Sequence, residues 1–340
     1  MLQARKVTYT LLTIFLFVLP TAFKIESAVD EQNVATSKAG YSGWSKPEFV
    51  EGVNTDAAEY PNGISRDGLS LYFQRRTVGT VTGEDLYVAH RPDLESAWGE
   101  PVKLPATINS DFNERAAFIS ADGRVLYFAS DRTGGMGGMD LSVSWRKHVH
   151  DDGNWQPAMN LRAVNSVGFD SGPTLFEDKR SGTTQLYFNS TPVEGGLQPR
   201  ADIYVSTLGP SGFGPPSPVI ELNSDVQEGR PYLRRDGLEI FFQSNRIATL
   251  PLTTSTIWSS TRSSTDQLWS APKLAVSPAD LSPLEVDHVT TPVLSRDFKT
   301  LFVGVVWTGA TADKGDIFAL SREKVRAECA ADLRRQNPPE

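Results

Sequence analysis

The sequence predicts an all-β fold, a five-bladed β-propeller spanning residues 44–321. Three observations predict it: an aromatic-Pro segment that returns at near-equal steps, the same order of strands and turns inside each step, and one strand left over at each end. The aromatic-Pro segments are WSKP at Trp44, WGEP at Trp98, WQPA at Trp155, FGPP at Phe213 and WSAP at Trp269, separated by 54, 57, 58 and 56 residues. Self-similarity at a fixed period marks a repeat architecture, and a period made of several short strands marks propeller blades.

Each unit is built in the same order. After the aromatic-Pro strand comes an Asn, with an acid five positions later: Asn54/Glu59, Asn109/Glu114, Asn165/Asp170 and Asn223/Glu228. The acid opens a short strand. A turn follows, Asp67-Gly68, Asp122-Gly123 and Asp236-Gly237 in units one, two and four, a pair suited to a two-residue hairpin turn. Unit three has a longer turn from Glu177 to Gly182, and unit five has Asp297-Phe298. The next strand is strongly apolar: LSLYFQ, RVLYFAS, TQLYFNS, LEIFFQS and KTLFVGV. The last is EDLYVAH, MDLSVSW, ADIYVST, STIWSST or GDIFALS. Their β-branched and aromatic content favours strands over helices.

Read from the acid, a blade runs innermost, second, third, then the aromatic-Pro strand of the following unit as outermost. The last blade lacks that outer strand, and Trp44–Val50 has no preceding blade. Trp44–Val50 is therefore expected to pair with Asp316–Ser321 and close the ring, which removes an exposed sheet edge.

Composition and charge bound the partners. The net charge of −8 argues against a nucleic-acid backbone as partner. A single cysteine, Cys329, makes no internal disulfide. Residues 1–28 carry Arg5 and Lys6 and then an apolar run centred on LLTIFLFVLP, which reads as an export signal or, if uncleaved, an N-terminal anchor. A periplasmic or secreted protein is expected, with the membrane involved only through that anchor. Residues 29–43 read as a linker and 322–340 as a short helix and tail. A monomer is expected.

Unit two, ISADGRVLYFASDRTGGMGGMDLSVS, resembles the WD40-like repeat of the TolB type, the PD40 repeat, including Asp131, Arg132, Gly134, Gly135, Gly137 and Asp140. Unit one keeps Ser65, Asp67, Gly68, Arg75 and Asp85. Units three to five keep the strand cores, parts of the turn, and Asp202 or Asp316. The resemblance implies a propeller outside the cytoplasm that binds proteins or cell-wall components.

The candidate site residues are the acids that open the inner strands, Glu59, Glu114, Asp170 and Glu228, together with Asp287 and His288 where unit five departs from the pattern. Symmetry places the acids around the channel, where two carboxylates suit acid–base chemistry on a sugar. Arg75, Arg132 and Arg246 follow the L-Y-F cores and offer each acid an ion-pair partner, which is a scaffold role. The loop His148-Val149-His150-Asp151-Asp152 has ligand-type residues, but a zinc site needs three or four that converge. No cofactor is expected. Calcium at the Asn54/Asp56, Asn109/Asp111 or Asn223/Asp225 loops is left open, although no EF-hand spacing is present. Trp44, Trp98, Trp155 and Trp269 are expected to pack between blades; Trp145, Trp258 and Trp307 fall outside the repeat's aromatic position and are the better candidates for a recognition surface, with core packing still the first expectation for them.

Two functions fit. The first is an exported, non-catalytic module that binds an envelope protein or glycan at a propeller mouth. It rests on the regularity of the repeat and the lack of an asymmetric catalytic set. The alternative is a carbohydrate-active enzyme, a glycoside hydrolase or lyase, that uses channel carboxylates.

Overall fold

The computed structural model describes residues 41–77, 83–191, 200–251, 253–310 and 314–325. The segment expected as a signal or anchor, most of the linker, Cys329 and nearly all of the expected C-terminal helix lie outside them. No helix among the described residues is long and apolar enough to cross a membrane.

Strand β1 is Glu48–Phe49. The first blade is β2 (Ala58–Ile64), β3 (Ser70–Arg76), β4 (Glu84–His90) and β5 (Val102–Lys103). The second is β6 (Glu114–Ile119), β7 (Val125–Ser130), β8 (Asp140–Trp145) and β9 (Met159–Asn160). In the third, β10 (Phe169–Asp178), β11 (Thr183–Thr191) and β12 (Asp202–Gly209) are followed by the short β13 (Gly212–Phe213) and β14 (Ser217–Pro218), both paired with β12. The fourth is β15 (Glu228–Leu233), β16 (Glu239–Ser244), β17 (Thr256–Thr261) and β18 (Lys273–Val276). The fifth is β19 (Val286–Leu294), β20 (Thr300–Trp307) and β21 (Gly315–Ser321), completed by β1. Every pairing between strands is antiparallel. A four-residue 3-10 turn at Pro278–Leu281 precedes the fifth blade.

The ring closes as the leftover strands predict. Glu48 lies opposite Ala319 and Phe49 opposite Phe318. Ser45 N–H donates to the Ser321 carbonyl at 2.7 Å, and Val50 N–H to the Ile317 carbonyl at 3.1 Å. Arg322 lies over the rings of Tyr41 and Trp44 and forms two bonds to the buried Glu239 carboxylate, at 3.0 and 2.8 Å.

The repeated tryptophans pack as expected, under a partner the strand pattern does not reveal. An arginine just past the third strand lies over each one: Arg91 on Trp98, Arg146 on Trp155, Arg262 on Trp269 and Arg322 on Trp44, at 4.4, 4.5, 4.2 and 4.6 Å. The guanidinium plane fits the ring face, so each outer strand is clamped to its own blade. The third blade has Phe213 there and no such arginine.

The Asn of each unit acts as a substitute peptide group. Its amide both donates to and accepts from the backbone of one third-strand residue. Asn54 pairs in this way with Ile317, Asn109 with Leu86, Asn165 with Leu141 and Asn223 with Ile203.

The Asp-Gly turns differ from expectation. Ser65 N–H bonds the Ser70 carbonyl and Gly68 N–H the Ser65 carbonyl, so four residues, Arg66 to Leu69, span the loop. Gly68, Gly123 and Gly237 have φ of 77°, 71° and 70°, whereas the aspartates do not have positive φ, so this is not the two-residue turn that needs positive φ at both positions. Asp67 instead accepts the Leu69 N–H at 3.0 Å. Phe298 takes the glycine position with φ 69°. The longer loop matters because its first residue stands at the channel mouth.

Candidate functional site: the turn-side mouth

The acids that open the inner strands are fully buried, at the end of the channel opposite the turns. Each lies in a closed box. Glu228 accepts the Ser224 N–H at 2.9 Å, the Ser224 hydroxyl at 2.6 Å, the Ser244 hydroxyl at 2.9 Å and Arg246 Nη2 at 2.9 Å. Glu114 repeats this with Ser110, Ser130 and Arg132. Glu59 has Thr55 and Arg75 Nε, the latter at 2.7 Å. Arg75 is not at the position of Arg132 and Arg246. It stands directly across from Glu59 in the register where the other blades have serine, two residues earlier. In the fifth blade Val289 faces Val305 at the matching positions, both fully buried. An apolar pair can replace a buried ion pair only where that pair is scaffold.

Asp170 is the exception. It has no arginine, and it accepts the Ser166 N–H at 2.6 Å and the Ser166 hydroxyl at 3.0 Å. Its Oδ1 is buried without a hydrogen-bond partner, as is Oδ1 of Asp140. Burial pushes the Asp170 carboxyl above the usual carboxylate range, and the Asp140 charge adds to the rise.

The other candidates lie apart. Asp287 is exposed and accepts from the Thr308 hydroxyl at 3.0 Å and Gly309 N–H at 3.3 Å. His288 Nδ1 accepts the Ser255 N–H at 3.1 Å. Asp152, in the histidine loop, is bound by His90 and Arg146. Among the described residues no three His, Cys, Asp or Glu side chains are grouped to hold a metal ion. Trp145 is half exposed, whereas Trp258 Nε1 bonds Thr256 and Trp307 Nε1 bonds Asp316.

The channel interior is tight. Each inner strand carries a bulge; in four of them Ala116, Gly172, Arg230 and Thr291 take positive φ there, two residues after Glu114, Asp170, Glu228 and Val289, and in the first blade the register shifts between Pro61 and Gly63. Side-chain amides of the preceding blade catch the freed N–H groups: Gln74 takes that of Ala116 and Asn189 that of Arg230. The space beside these bulges is only about 20 Å³.

Beyond the bulges the channel opens into a cup of about 370 Å³ at the turn-side mouth. Its floor includes Phe118 and Tyr232, from the second and fourth blades, whose ring centroids lie 6.3 Å apart. Burial pushes the Tyr232 phenol up to about 12, against the nearby Arg296 charge. Residues of the turns supply the rim. The residue before the turn Asp in the five units is Arg66, Ala121, Glu177, Arg235 and Arg296; in the third blade Glu177 is still within β10, opposite Thr184. Neither Arg66, Arg235 nor Arg296 has a hydrogen bond or ion pair among the described residues, and Arg296 Nε is buried without a partner. Burial lowers the Arg296 pKa, as do its neighbours Arg235 and Arg66, while Tyr232 and Glu177 oppose the shift. Glu177 is exposed and uncommitted. The adjacent Asp178 is held down at about 2 by the Thr265 hydroxyl and the Arg180 N–H. Asp236 is paired to Arg234.

None of Arg66, Glu177, Arg235 and Arg296 was a sequence candidate. The signal was available: they occupy one repeat position, the residue before the turn Asp, where an arginine recurs in three of the five units.

A propeller of five blades with a blind cup at one mouth defines the structural class. Solved structures share it. The chain is similar to a thermostable family-43 glycoside hydrolase (TM-score 0.57, 13% identity, 82% of this chain and 93% of that one). It is similar to the GH43_1 enzyme from Xanthomonas citri complexed with xylotriose (TM-score 0.57, 13% identity, 83% and 91%). It also resembles the catalytic domain of the Coprinopsis cinerea GH62 alpha-L-arabinofuranosidase (TM-score 0.55, 12% identity, 82% and 96%). No family model and no curated protein sequence matches. At these identities the likeness establishes the fold. The expectation of a non-catalytic binding module is corrected by this comparison, since the solved propellers just named are glycoside hydrolases. That expectation treated a regular repeat as a sign of no asymmetric site. Here the regularity is confined to the scaffold, and the turn-side mouth is asymmetric.

Proposed function

We propose that the protein is a carbohydrate-active enzyme, a hydrolase or lyase, whose glycan lies in the turn-side cup. The cup's geometry carries this reading: an aromatic floor, a volume in the range of small-molecule sites, and a few convergent polar groups. The fold shared with glycoside hydrolases supports it. Phe118 and Tyr232 offer the apolar surface on which a sugar ring stacks, and the arginines offer hydrogen-bond donors to its oxygens. Glu177 is the one rim carboxylate free to transfer a proton. Glu59, Glu114 and Glu228 serve the scaffold, since their carboxylates are committed to neighbours, and Asp170 is fully buried away from the cup.

The test is a panel of polysaccharides followed by two readouts, new reducing ends for either reaction and ultraviolet absorbance for the unsaturated product of a lyase. Turnover is expected on at least one substrate, falling about 100-fold or more in Glu177→Gln, the scale of a lost general acid or base. Turnover on none, or full turnover in that variant with the fold intact, overturns the assignment.

A further inference from the structure

We infer that the cup selects an acidic sugar, a glycan whose residues carry carboxylates; this rests on the carbohydrate reading above. Three guanidinium groups, on Arg66, Arg235 and Arg296, stand at equivalent positions of three blades and face one cup. They have no ion-pair partner among the described residues, whereas fourteen salt bridges among those residues engage Arg, Lys or His elsewhere, eleven of them through arginine. Only Glu177 opposes them at the fifth-fold equivalent positions, and Ala121 adds no charge. Burial first, and then the neighbouring Arg235 and Arg66 charges, lower the proton affinity of Arg296, so an anion seated among the three guanidinium groups would meet charges that nothing else in the cup pairs.

The protein as a whole carries a charge of −8, so the cationic mouth runs against the net charge. A concave site of one sign focuses its field and raises the local concentration of an opposite-sign ligand. Guanidinium groups match carboxylates in geometry, with paired donors in one plane. The cup is also far larger than a small inorganic anion needs, and its floor is aromatic. The ligand that fits both features has an apolar ring face and a carboxylate, as a uronic acid does. Arg296 is the anchor of the set: its Nε is already out of water and unpartnered, so a ligand oxygen there regains a bond without a further desolvation cost.

The experiment compares a galacturonate tetrasaccharide with the same tetrasaccharide after its carboxyls are reduced to alcohols, by calorimetry at low and high salt. The acidic form is expected to bind about tenfold or more tightly at low salt, with the preference shrinking as salt screens the rim. The triple variant Arg66→Gln/Arg235→Gln/Arg296→Gln should lose the preference while keeping its melting temperature. Glu177→Gln, which removes the uncommitted carboxylate of the rim, should bind the acid more tightly even as turnover falls. Equal binding of the two forms, or a preference that survives the triple variant, overturns the inference. If the neutral chain is processed and the acid is not favoured, the inference fails and the enzyme reading stands. If neither chain binds and no glycan in the panel is processed, both fail.

Discussion

Removing Glu228 tests whether the inner-strand acids belong to the scaffold. In Glu228→Ala the Ser224 N–H, two hydroxyls and the Arg246 guanidinium lose their acceptor in a box that excludes water. Breaking a buried charge pair from one side costs about 3–5 kcal/mol. Arg246 keeps some compensation, because Nη2 also bonds the Leu222 carbonyl at 2.6 Å and its guanidinium lies over Phe242 and Trp258. Its side chain is also 15% exposed, so water screens part of the loss. The lower end of the range, about 3 kcal/mol, follows. For a domain of this size, about 2–4 °C per kcal/mol gives a melting temperature lower by roughly 6–12 °C. Guanidinium chloride titration should show a lower midpoint with an unchanged slope. A loss under about 1 kcal/mol would refute the account, since it would mean that the four donors find water in the folded state. The pair with Arg246→Gln should be strongly non-additive, because the two changes remove one interaction.

Three further outcomes follow from the same structure. Asp170→Asn should behave oppositely to Glu228→Ala, and raise the melting temperature at pH 7. The folded-state pKa of Asp170 lies above its unfolded value, so its stabilising form is the protonated one. Stability falls as pH rises from the unfolded pKa through the folded one, and the variant's advantage should vanish below the ordinary aspartate value of 3.8. Melting curves from pH 3 to 8 check this, and an advantage that grows on acidification would contradict it. A chain beginning at residue 51 lacks β1 and the Trp44–Arg322 stack, which leaves β21 an open edge. It should melt earlier and self-associate on size exclusion, and an unchanged monomer would show that the closure contributes little. Arg146→Lys should also destabilise, since the lysine loses the plane that covers Trp155 and a bond to the Tyr72 hydroxyl at 3.0 Å. A loss of about 1–3 kcal/mol is expected by denaturant titration, and none would discount the stacking.

The blades were legible because the chain repeats what the backbone needs. Alternating apolar strands and the aromatic-Pro segment recur in each unit, and the unmatched strands at the two ends find each other through backbone pairing that any sequence can supply. The turn chemistry was misread because Asp-Gly suits two loop lengths. Sequence does not say whether the aspartate takes positive φ, as the short turn requires, or caps Leu69 N–H, as it does here. The arginines over the tryptophans were also missed. They sit one residue past a strand, where periodicity has ended, and only the folded blade brings Arg146 back over Trp155. The mouth was missed for a related reason: Arg66, Arg235 and Arg296 are far apart in the chain and look like ordinary solvated turn residues until the ring is closed.

The division between scaffold and site can be read from which positions keep their chemistry around the ring. The box acid recurs as Glu59, Glu114, Asp170 and Glu228, and where it is lost, Val289 and Val305 fill the same place. A role that an apolar pair can fill is packing, not reaction. The residue before the turn Asp has the opposite behaviour. It takes Arg three times, Glu once and Ala once, and Arg and Ala both occur in the loop form of this position, so the backbone does not require the charge. Stability gains nothing from three unpaired guanidinium groups facing one cup, and burial, with the Arg235 and Arg66 charges behind it, lowers the proton affinity of Arg296. A costly, unpartnered and asymmetric set of charges at the end of a symmetric scaffold is what a binding site for an anionic ligand requires.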